Sequence, residues 1–308
     1  MPFVEVRALH KAYGSSVAVE GVTFSIPKGS CYGLLGPNGA GKTTTIGIIA
    51  GTMNADGGEV LLDGERVGVE RLSVKRRIGY VPQELALYED LSALDNLRFF
   101  GSLYGLSGTA LNEVVDAALE LAGLQDRRRE TVRSYSGGMK RRLNIAASLI
   151  HEPDLLILDE PTVGVDPQSR NQIFEALIAL LQRGKTLLYT THYMEEVERL
   201  CDHVAILDHG RVVADGTLSD LHKLVPSRHL VQIDLEAPLK GPMRSSPGIL
   251  SVGQERNTLT LELEDLNRDL PSILKSVGDA GGIFDDVRTP KPTLEEVFLH
   301  LTGRMLRD

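Results

Sequence analysis

Short apolar runs alternate with stretches of helical period over roughly the first 220 residues. The runs in SCYGLLG (Ser30–Gly36), DLLILDE (Asp154–Glu160), TLLYTTH (Thr186–His192) and HVAILDHG (His203–Gly210) are nearly continuous in their apolar part. That pattern predicts strands buried on both faces. EDLSALDNLRFFGSLYG (Glu89–Gly105), ALNEVVDAALELAGL (Ala110–Leu124) and SGGMKRRLNIAASLI (Ser136–Ile150) instead follow the helical period. Residues 84–150 are thus a mostly helical block set between strands, and the whole reads as an α/β fold.

The pattern changes near Val225–Pro226. HLVQIDLE alternates like a strand, and ILSVGQERNTLTLELE reads as a hairpin around Arg256–Asn257. NRDLPSILKSVGDAG predicts a helix with Pro271 near its first turn, and IFDDVRT a further strand. In TLEEVFLHLTG, Thr293 and Glu296 have capping-box spacing and Gly303 suits a C-cap. The expectation is two domains: residues 1–225, and a small α+β domain over 226–308 with a β-β-β-α-β core and no catalytic constellation.

A chain of 308 residues is long enough for two such domains. No apolar run approaches the roughly 18 residues of a membrane span, and the start MPFVEVRALHKAYG lacks the basic head and apolar core of a signal peptide. The lone cysteines Cys31 and Cys201 fit a reducing compartment and are read as small, partly buried packing residues. The net charge of −9 disfavours nucleic acid as a partner. Against that background the basic runs Lys75–Arg77, Arg127–Arg129 and Lys140–Arg142 read as solvated faces.

Two stretches carry phosphate chemistry. GPNGAGKT, from Gly36 through Pro37, Asn38, Gly39, Ala40, Gly41 and Lys42 to Thr43, matches G-x-x-x-x-G-K-[ST] in full. It sits between a strand and the helical run opened by Thr44, the context in which backbone amides wrap phosphates. Lys42 reaches the outer phosphates and Thr43 offers a hydroxyl to Mg²⁺. LLILDEP supplies the complementary acids at the end of a buried strand. Asp159 is the candidate to hold Mg²⁺. Glu160, on the opposite side if strand alternation persists, is the candidate to polarise the attacking water. The second stretch is YSGGMKRRL: a serine and two glycines open a helix, whose exposed amides and dipole suit an anion.

With these motifs in order, residues 4–225 resemble the ATP-binding cassette (ABC) ATPases. The resemblance implies a P-loop cassette with a helical subdomain at about 84–150. It implies that Tyr13 stacks on adenine, that Gln83 senses Mg²⁺ and the attacking water, and that Ser136, Gly137 and Gly138 form the family signature. It also implies that Asp166 lies in a loop crossing the dimer interface and that His192 is the switch histidine at the γ-phosphate. Singly each has a plain structural reading: a half-buried aromatic, a surface glutamine, a helix cap before Pro167, a strand-end histidine. Their joint spacing after a complete phosphate loop favours the family reading. Tyr135 and Met139 stand where the commonest signature has leucine and glutamine, and Val165 replaces the usual leucine before Asp166. YSGGM, PTVGVDP and the tail KPTLEEVFLHLTG resemble ATPase subunits of drug and polysaccharide exporters. In these the membrane permease is a separate chain and two ATPase subunits, here a homodimer, share two ATP molecules at the cytoplasmic face of the membrane. An importer ATPase or a soluble ABC ATPase is the alternative. Soluble versions carry a long coiled coil or a second cassette, and this chain shows neither.

Overall fold

The computed structural model describes residues 2–225, 229–239, 248–290 and 292–303. They form two compact units, one up to Leu218 together with the residues from Leu301 on, and one over Ser219–His300. Pro226, where the composition shifts, lies outside the described residues.

The first unit opens with strands β1 (Pro2–Tyr13) and β2 (Ser16–Pro27), which pair antiparallel. With β4 (Gly57–Leu62) and β5 (Glu65–Arg66) they make a four-stranded sheet ordered β2-β1-β4-β5. Sequence patterning did not single out this sheet. The register of β1 shifts between Val6 and Leu9, where Ala8 has φ 46°, so the clean two-residue alternation is broken.

The second sheet is built from β3 (Cys31–Leu35), β6 (Ile78–Val81), β7 (Leu155–Asp159), β8 (Thr186–Thr191), β9 (His203–Asp208) and β10 (Arg211–Thr217). Its order is β10-β9-β3-β8-β7-β6, parallel except for β10. Every residue of β3, β7 and β8 is buried, which explains their unbroken apolar runs. One continuous core joins the two sheets, with Phe3, Phe24 and Ile26 against Tyr32, Ile46 and Ile157. Helices α1 (Lys42–Ile49), α2 (Leu72–Lys75), α6 (Pro167–Gln182) and α7 (Met194–Leu200) complete the order of the chain in this unit, and the short α8 (Leu218–His222) begins where it ends. The parallel strands end together, so β3, β7 and β8 deliver their following loops to one edge, where ligands of open α/β sheets bind.

Helices α3 (Ala93–Leu103), α4 (Gly108–Ala122) and α5 (Gly137–Leu149) pack around Leu97, Val115, Leu119, Leu143 and Ile150. Ser92 caps α3 by accepting from the Asp95 amide at 3.0 Å, and Gly123 ends α4 in the left-handed region.

The second unit follows the expected β-β-β-α-β order. Strands β11 (His229–Leu235), β12 (Ile249–Glu255), β13 (Thr258–Leu263) and β14 (Phe284–Arg288) form an antiparallel sheet ordered β12-β13-β11-β14. Ile273 and Val277 of α9 (Leu266–Asp279) cover Val231, Ile233, Leu259 and Leu261. Pro271 lies inside α9 rather than in its first turn, because Asp265 caps the helix by accepting from Arg268 N at 2.9 Å. Its lack of an N–H leaves the Asn267 carbonyl without its helical donor. Helix α10 (Leu294–Thr302) opens with the capping box: Thr293 N donates to Glu296 Oε2 at 2.8 Å, and Glu296 N to Thr293 Oγ1 at 3.3 Å. Gly303 takes the left-handed φ of 71° at its end.

Candidate functional site

The loop Gly36–Gly41 joins β3 to α1. Two of its glycines are fixed by close approach: a Cβ on Gly36 would lie 2.3 Å from the Leu207 carbonyl oxygen, and one on Gly41 the same distance from that of Ala18. Gly41 also has φ 99° and caps α1 without a side chain, which leaves the first-turn amides free of side-chain partners. Asn38 and Gly39 are exposed, Pro37 and Ala40 buried, Thr43 exposed and Thr44 half-buried.

Lys42 is buried and folds back into the loop. Its Nζ donates to Gly36 O at 2.7 Å and Pro37 O at 3.1 Å, and Glu160 Oε1 lies 3.7 Å away. Burial pulls the Lys42 ammonium below its ordinary value, opposed by the charges of Glu160 and Asp159. This is a cation held inside the loop by two of the loop's own carbonyls.

Asp159 ends β7 and is buried. Its Oδ1 accepts from Thr190 Oγ1 of β8 at 2.8 Å, and burial raises its pKa above the ordinary value while hydrogen bonds from Thr190 and Thr43 oppose the rise. The expected alternation does not carry on to Glu160. The strand stops at Asp159 and Glu160 turns left-handed, φ 46°, with its amide within 3.1 Å of both Thr190 O and Thr190 Oγ1. A non-glycine residue held there costs about 1–3 kcal/mol, and such strain clusters at functional sites.

Glu160 is the meeting point. Its Oε2 accepts from Gln83 Nε2 at 3.1 Å, and its Oε1 lies 3.4 Å from His192 Nδ1 as well as 3.7 Å from Lys42 Nζ. Gln83 comes from the loop after β6, His192 from the end of β8 and Lys42 from the start of α1, so three segments converge on one carboxylate. Tyr13 is half exposed at the end of β1; its hydroxyl meets Met53 Sδ at 3.4 Å, and no hydrogen bond joins it to residues 36–44 among the described residues.

The Ser136–Gly138 helix start is built separately. Ser136 Oγ accepts from Met139 N at 3.2 Å. A Cβ on Gly138 would strike Ser169 Oγ at 2.1 Å, so Gly138 is required by packing against α6, whereas one on Gly137 would meet nothing within 4 Å. Asp166 caps α6 by accepting from Ser169 N at 2.9 Å. Helix start and cap therefore touch one another, and Ser136 and Gly137 remain exposed. Among the described residues no hydrogen bond or ion pair links them to Lys42 or Glu160. Met139 packs against the α3–α5 core, an apolar use for the position where the commonest signature has glutamine.

The run Lys140–Arg142 is not a solvated face. Lys140 pairs with Glu89 at 2.5 Å, Arg142 donates to the Ala122 carbonyl, and Arg141 is 6% exposed with its guanidinium on the carbonyls of Pro82 and Gln83. Arg77 likewise pairs with Asp63, Glu65 and Asp154. Lys140 and Arg77 thus take carboxylates, and Arg141 and Arg142 take backbone carbonyls.

Patterning also passed over Glu196. It is buried on α7 and accepts from Thr162 Oγ1 at 2.7 Å, Tyr189 Oη at 2.9 Å and Thr191 Oγ1 at 2.7 Å, with Arg170 Nε 3.7 Å away. It ties the segment after Glu160 to the strand end before His192. Its signal in the sequence is the helical register, which turns Glu195 outward and Glu196 inward. Cys31 and Cys201 are both free and buried, with sulfurs 3.6 Å apart.

A family model for the ABC transporter domain matches residues 19–163, and one for the C-terminal domain of DrrA1-3-like ATP-binding proteins matches residues 216–302. A linearmycin resistance ATP-binding protein of Bacillus subtilis is 42% identical over 99% of this chain and 100% of its own length. A Nod factor export ATP-binding protein of Cupriavidus pinatubonensis is 41% identical over 99% and 92% of the two chains. A daunorubicin resistance ATP-binding protein of Streptomyces coeruleorubidus is 38% identical over 97% and 96%. Among solved structures, the ATP-binding subunit of an ABC transporter superposes with TM-score 0.65 at 34% identity over 72% of this chain and 92% of that one. A dimeric ATP-binding cassette with ADP and Pi superposes with TM-score 0.64 at 26% identity over 70% and 98%. The phosphate loop, the convergent carboxylate and these likenesses agree: the chain belongs to the ATP-binding cassette (ABC) family, as an ATP-binding and ATP-hydrolysing subunit of the exporter type.

Proposed function

We propose that two copies of this chain enclose two ATP molecules and that their hydrolysis drives a separate membrane permease. The observation that carries the catalytic part is the convergence of Gln83, His192 and Lys42 on Glu160. In this reading the loop Gly36–Thr44 binds the phosphates, and Lys42 exchanges its contacts with Gly36 O, Pro37 O and Glu160 for phosphate oxygens. Glu160, released from the ammonium, orients and polarises water for in-line attack, while Gln83 and His192 hold the carboxylate and reach the γ-phosphate. Tyr13 offers an open ring to the adenine.

The residues present fit Mg²⁺. Asp159 is a buried carboxylate whose charge burial disfavours, Thr43 is within hydrogen-bonding reach of it, and Gln83 keeps its amide oxygen while its nitrogen serves Glu160. No cluster of three His, Cys, Asp or Glu among the described residues could hold a metal alone, which suits an ion that takes most of its ligands from phosphate and water. When bound, Mg²⁺ would neutralise charge on the β- and γ-phosphate oxygens.

The exposed start of α5 supports sharing between copies. Ser136 and Gly137 open α5 exposed, and a γ-phosphate held by a second copy would satisfy the amides of that helix start. Asp166, seated beside Gly138, would then lie near the junction of the two copies. A groove of about 480 Å³ lined by Leu72, Tyr80, Phe100, Leu103, Tyr104 and His151 supports docking of a permease segment. Leu72 and Leu103 are more than half exposed, so apolar surface awaits cover. No helix among the described residues is long and apolar enough to cross a membrane, so attachment to its cytoplasmic face would run through the permease. Residues 226–308 are read as an accessory domain.

Glu160→Gln is the test. It should keep ATP binding, lose on the order of 10²–10⁴-fold in turnover, and accumulate as an ATP-bound dimer by size exclusion. Normal steady-state hydrolysis would remove Glu160 from its role. A pull-down in mild detergent should recover a membrane chain, and recovery of only ribosomes or DNA would defeat the transport reading.

A further inference from the structure

Arg141 is a buried cation that faces carbonyls, not a carboxylate. Among the described residues it forms no ion pair; Nη1 donates to Pro82 O at 3.1 Å and Nη2 to Gln83 O at 2.8 Å. Burying a guanidinium is costly unless its donors are satisfied. Burial lowers its pKa, with only the field of Asp159 opposing. A charge kept there without a counter-ion is being used for geometry.

It is not alone. Asn144 Oδ1 accepts from Ala86 N at 3.1 Å, and Ser148 Oγ donates to Tyr80 O at 2.9 Å. Arg141, Asn144 and Ser148 stand at i, i+3 and i+7, on one face of α5. That face hydrogen-bonds the backbone of residues 80, 82, 83 and 86. The strand end and loop that carry Gln83 are thus moulded on α5. From the held backbone the Gln83 side chain reaches Glu160 at 3.1 Å. The opposite end of the connection is the exposed Ser136–Gly137 helix start, less than two turns from Arg141.

We infer that Arg141 is a positioning residue for hydrolysis: it locks the Gln83 backbone to α5, so that the Gln83 amide meets Glu160 only when α5 is seated. A phosphate engaged at the start of α5 would then be felt at the chain's own catalytic carboxylate, through two carbonyls and one side chain. The inference rests on the reading that Gln83 and Glu160 act together at the γ-phosphate.

The test is a double-mutant cycle between Arg141→Met and Gln83→Ala in the full chain, read as kcat, KM for ATP, nucleotide affinity and melting temperature. Arg141→Met should lower kcat by about ten- to a hundredfold with KM changed less than about threefold, as expected for a misplaced catalytic group. Arg141→Lys, which keeps a cationic donor but not the fork, should fall between. In the Gln83→Ala background Arg141→Met should cost less than about threefold, because the group it positions is gone. Full multiplication of the two losses would overturn the inference, since a general structural role acts whether or not Gln83 is present. If Arg141→Met does not fold, the cycle with Arg141→Lys is read in the same way. Wild-type turnover in Gln83→Ala alone would dismiss Gln83 as a catalytic group and the inference with it. Loss in Gln83→Ala but none in either Arg141 variant would defeat the inference and leave the Gln83 reading standing.

Discussion

Glu196 gives the sharpest stability prediction because its side chain is buried and every partner is identified. Its carboxylate accepts three hydroxyl bonds of 2.7–2.9 Å, with Arg170 at 3.7 Å as the nearest cation. Hydrogen bonds to a charged group are worth about 1.5–3 kcal/mol each, and desolvating the carboxylate subtracts several kcal/mol from their sum. Glu196→Ala removes the acceptor and leaves the hydroxyls of Thr162, Tyr189 and Thr191 facing a cavity. The loss should be about 3–5 kcal/mol, the range for breaking a buried polar cluster by deleting one member. For a unit of this size that is a fall of roughly 6–20 °C in melting temperature. Glu196→Gln keeps the volume and one carbonyl oxygen, and the hydroxyls can turn to accept from its amide, so about 1–3 kcal/mol is expected. Urea and thermal unfolding followed by far-UV circular dichroism measure both. Turnover at 20 °C should fall as well, since Thr191 precedes His192 and Thr162 follows Glu160 by two residues. If Glu196→Gln matched or exceeded the wild-type stability, desolvation would outweigh the three bonds and the assignment of Glu196 as a tie between these segments would be wrong.

Two further outcomes follow from the site. Ser136→Arg and Lys42→Ala should each be inactive alone, yet recover part of the turnover when mixed, because one site of a mixed dimer combines the intact Lys42 of one copy with the intact Ser136 of the other; no recovery under conditions that form mixed dimers would refute sharing. Asp159→Asn should inactivate the protein while raising the melting temperature of the nucleotide-free form at pH 7. Burial raises the native Asp159 pKa above the ordinary 3.8, so between those values the folded chain binds more protons than the unfolded one and stability falls as pH rises. The advantage of the variant should shrink as pH is lowered toward 3.8, and a less stable variant at pH 7 would contradict the burial argument.

What could be read from the sequence follows the physics of each element. β3, β7 and β8 were legible because strands buried on both faces are apolar without interruption. β1 was not, because its bulge at Ala8 interrupts the alternation, and two-residue β5 leaves no periodic trace. The phosphate loop was legible because its chemistry depends on contiguous backbone. Alternation predicted that Glu160 would continue the strand, whereas the strand ends at Asp159 and Glu160 takes a left-handed turn.

Helix α5 shows why a linear motif underdetermines a site. Its first residues read as an anion cradle, and the three basic residues after them read as solvent-facing. Yet Leu143, Ala146 and Ile150 fill the core of the helical subdomain, while Arg141, Asn144 and Ser148 hold the Gln83 segment. The polar residues at i, i+3 and i+7 were present in the sequence as a second stripe, but a stripe of polar residues on a helix ordinarily faces water. Only the segment packed against it, more than fifty residues earlier in the chain, turns that stripe into a mould. Arg141 has no counter-ion among the described residues, so neither charge pairing nor solvent accounts for its place; two backbone carbonyls do. The helix that begins with the exposed Ser136 thus has Arg141, the middle residue of its basic run, committed to the loop that meets Glu160, and any displacement of α5 must either carry Gln83 with it or break both bonds.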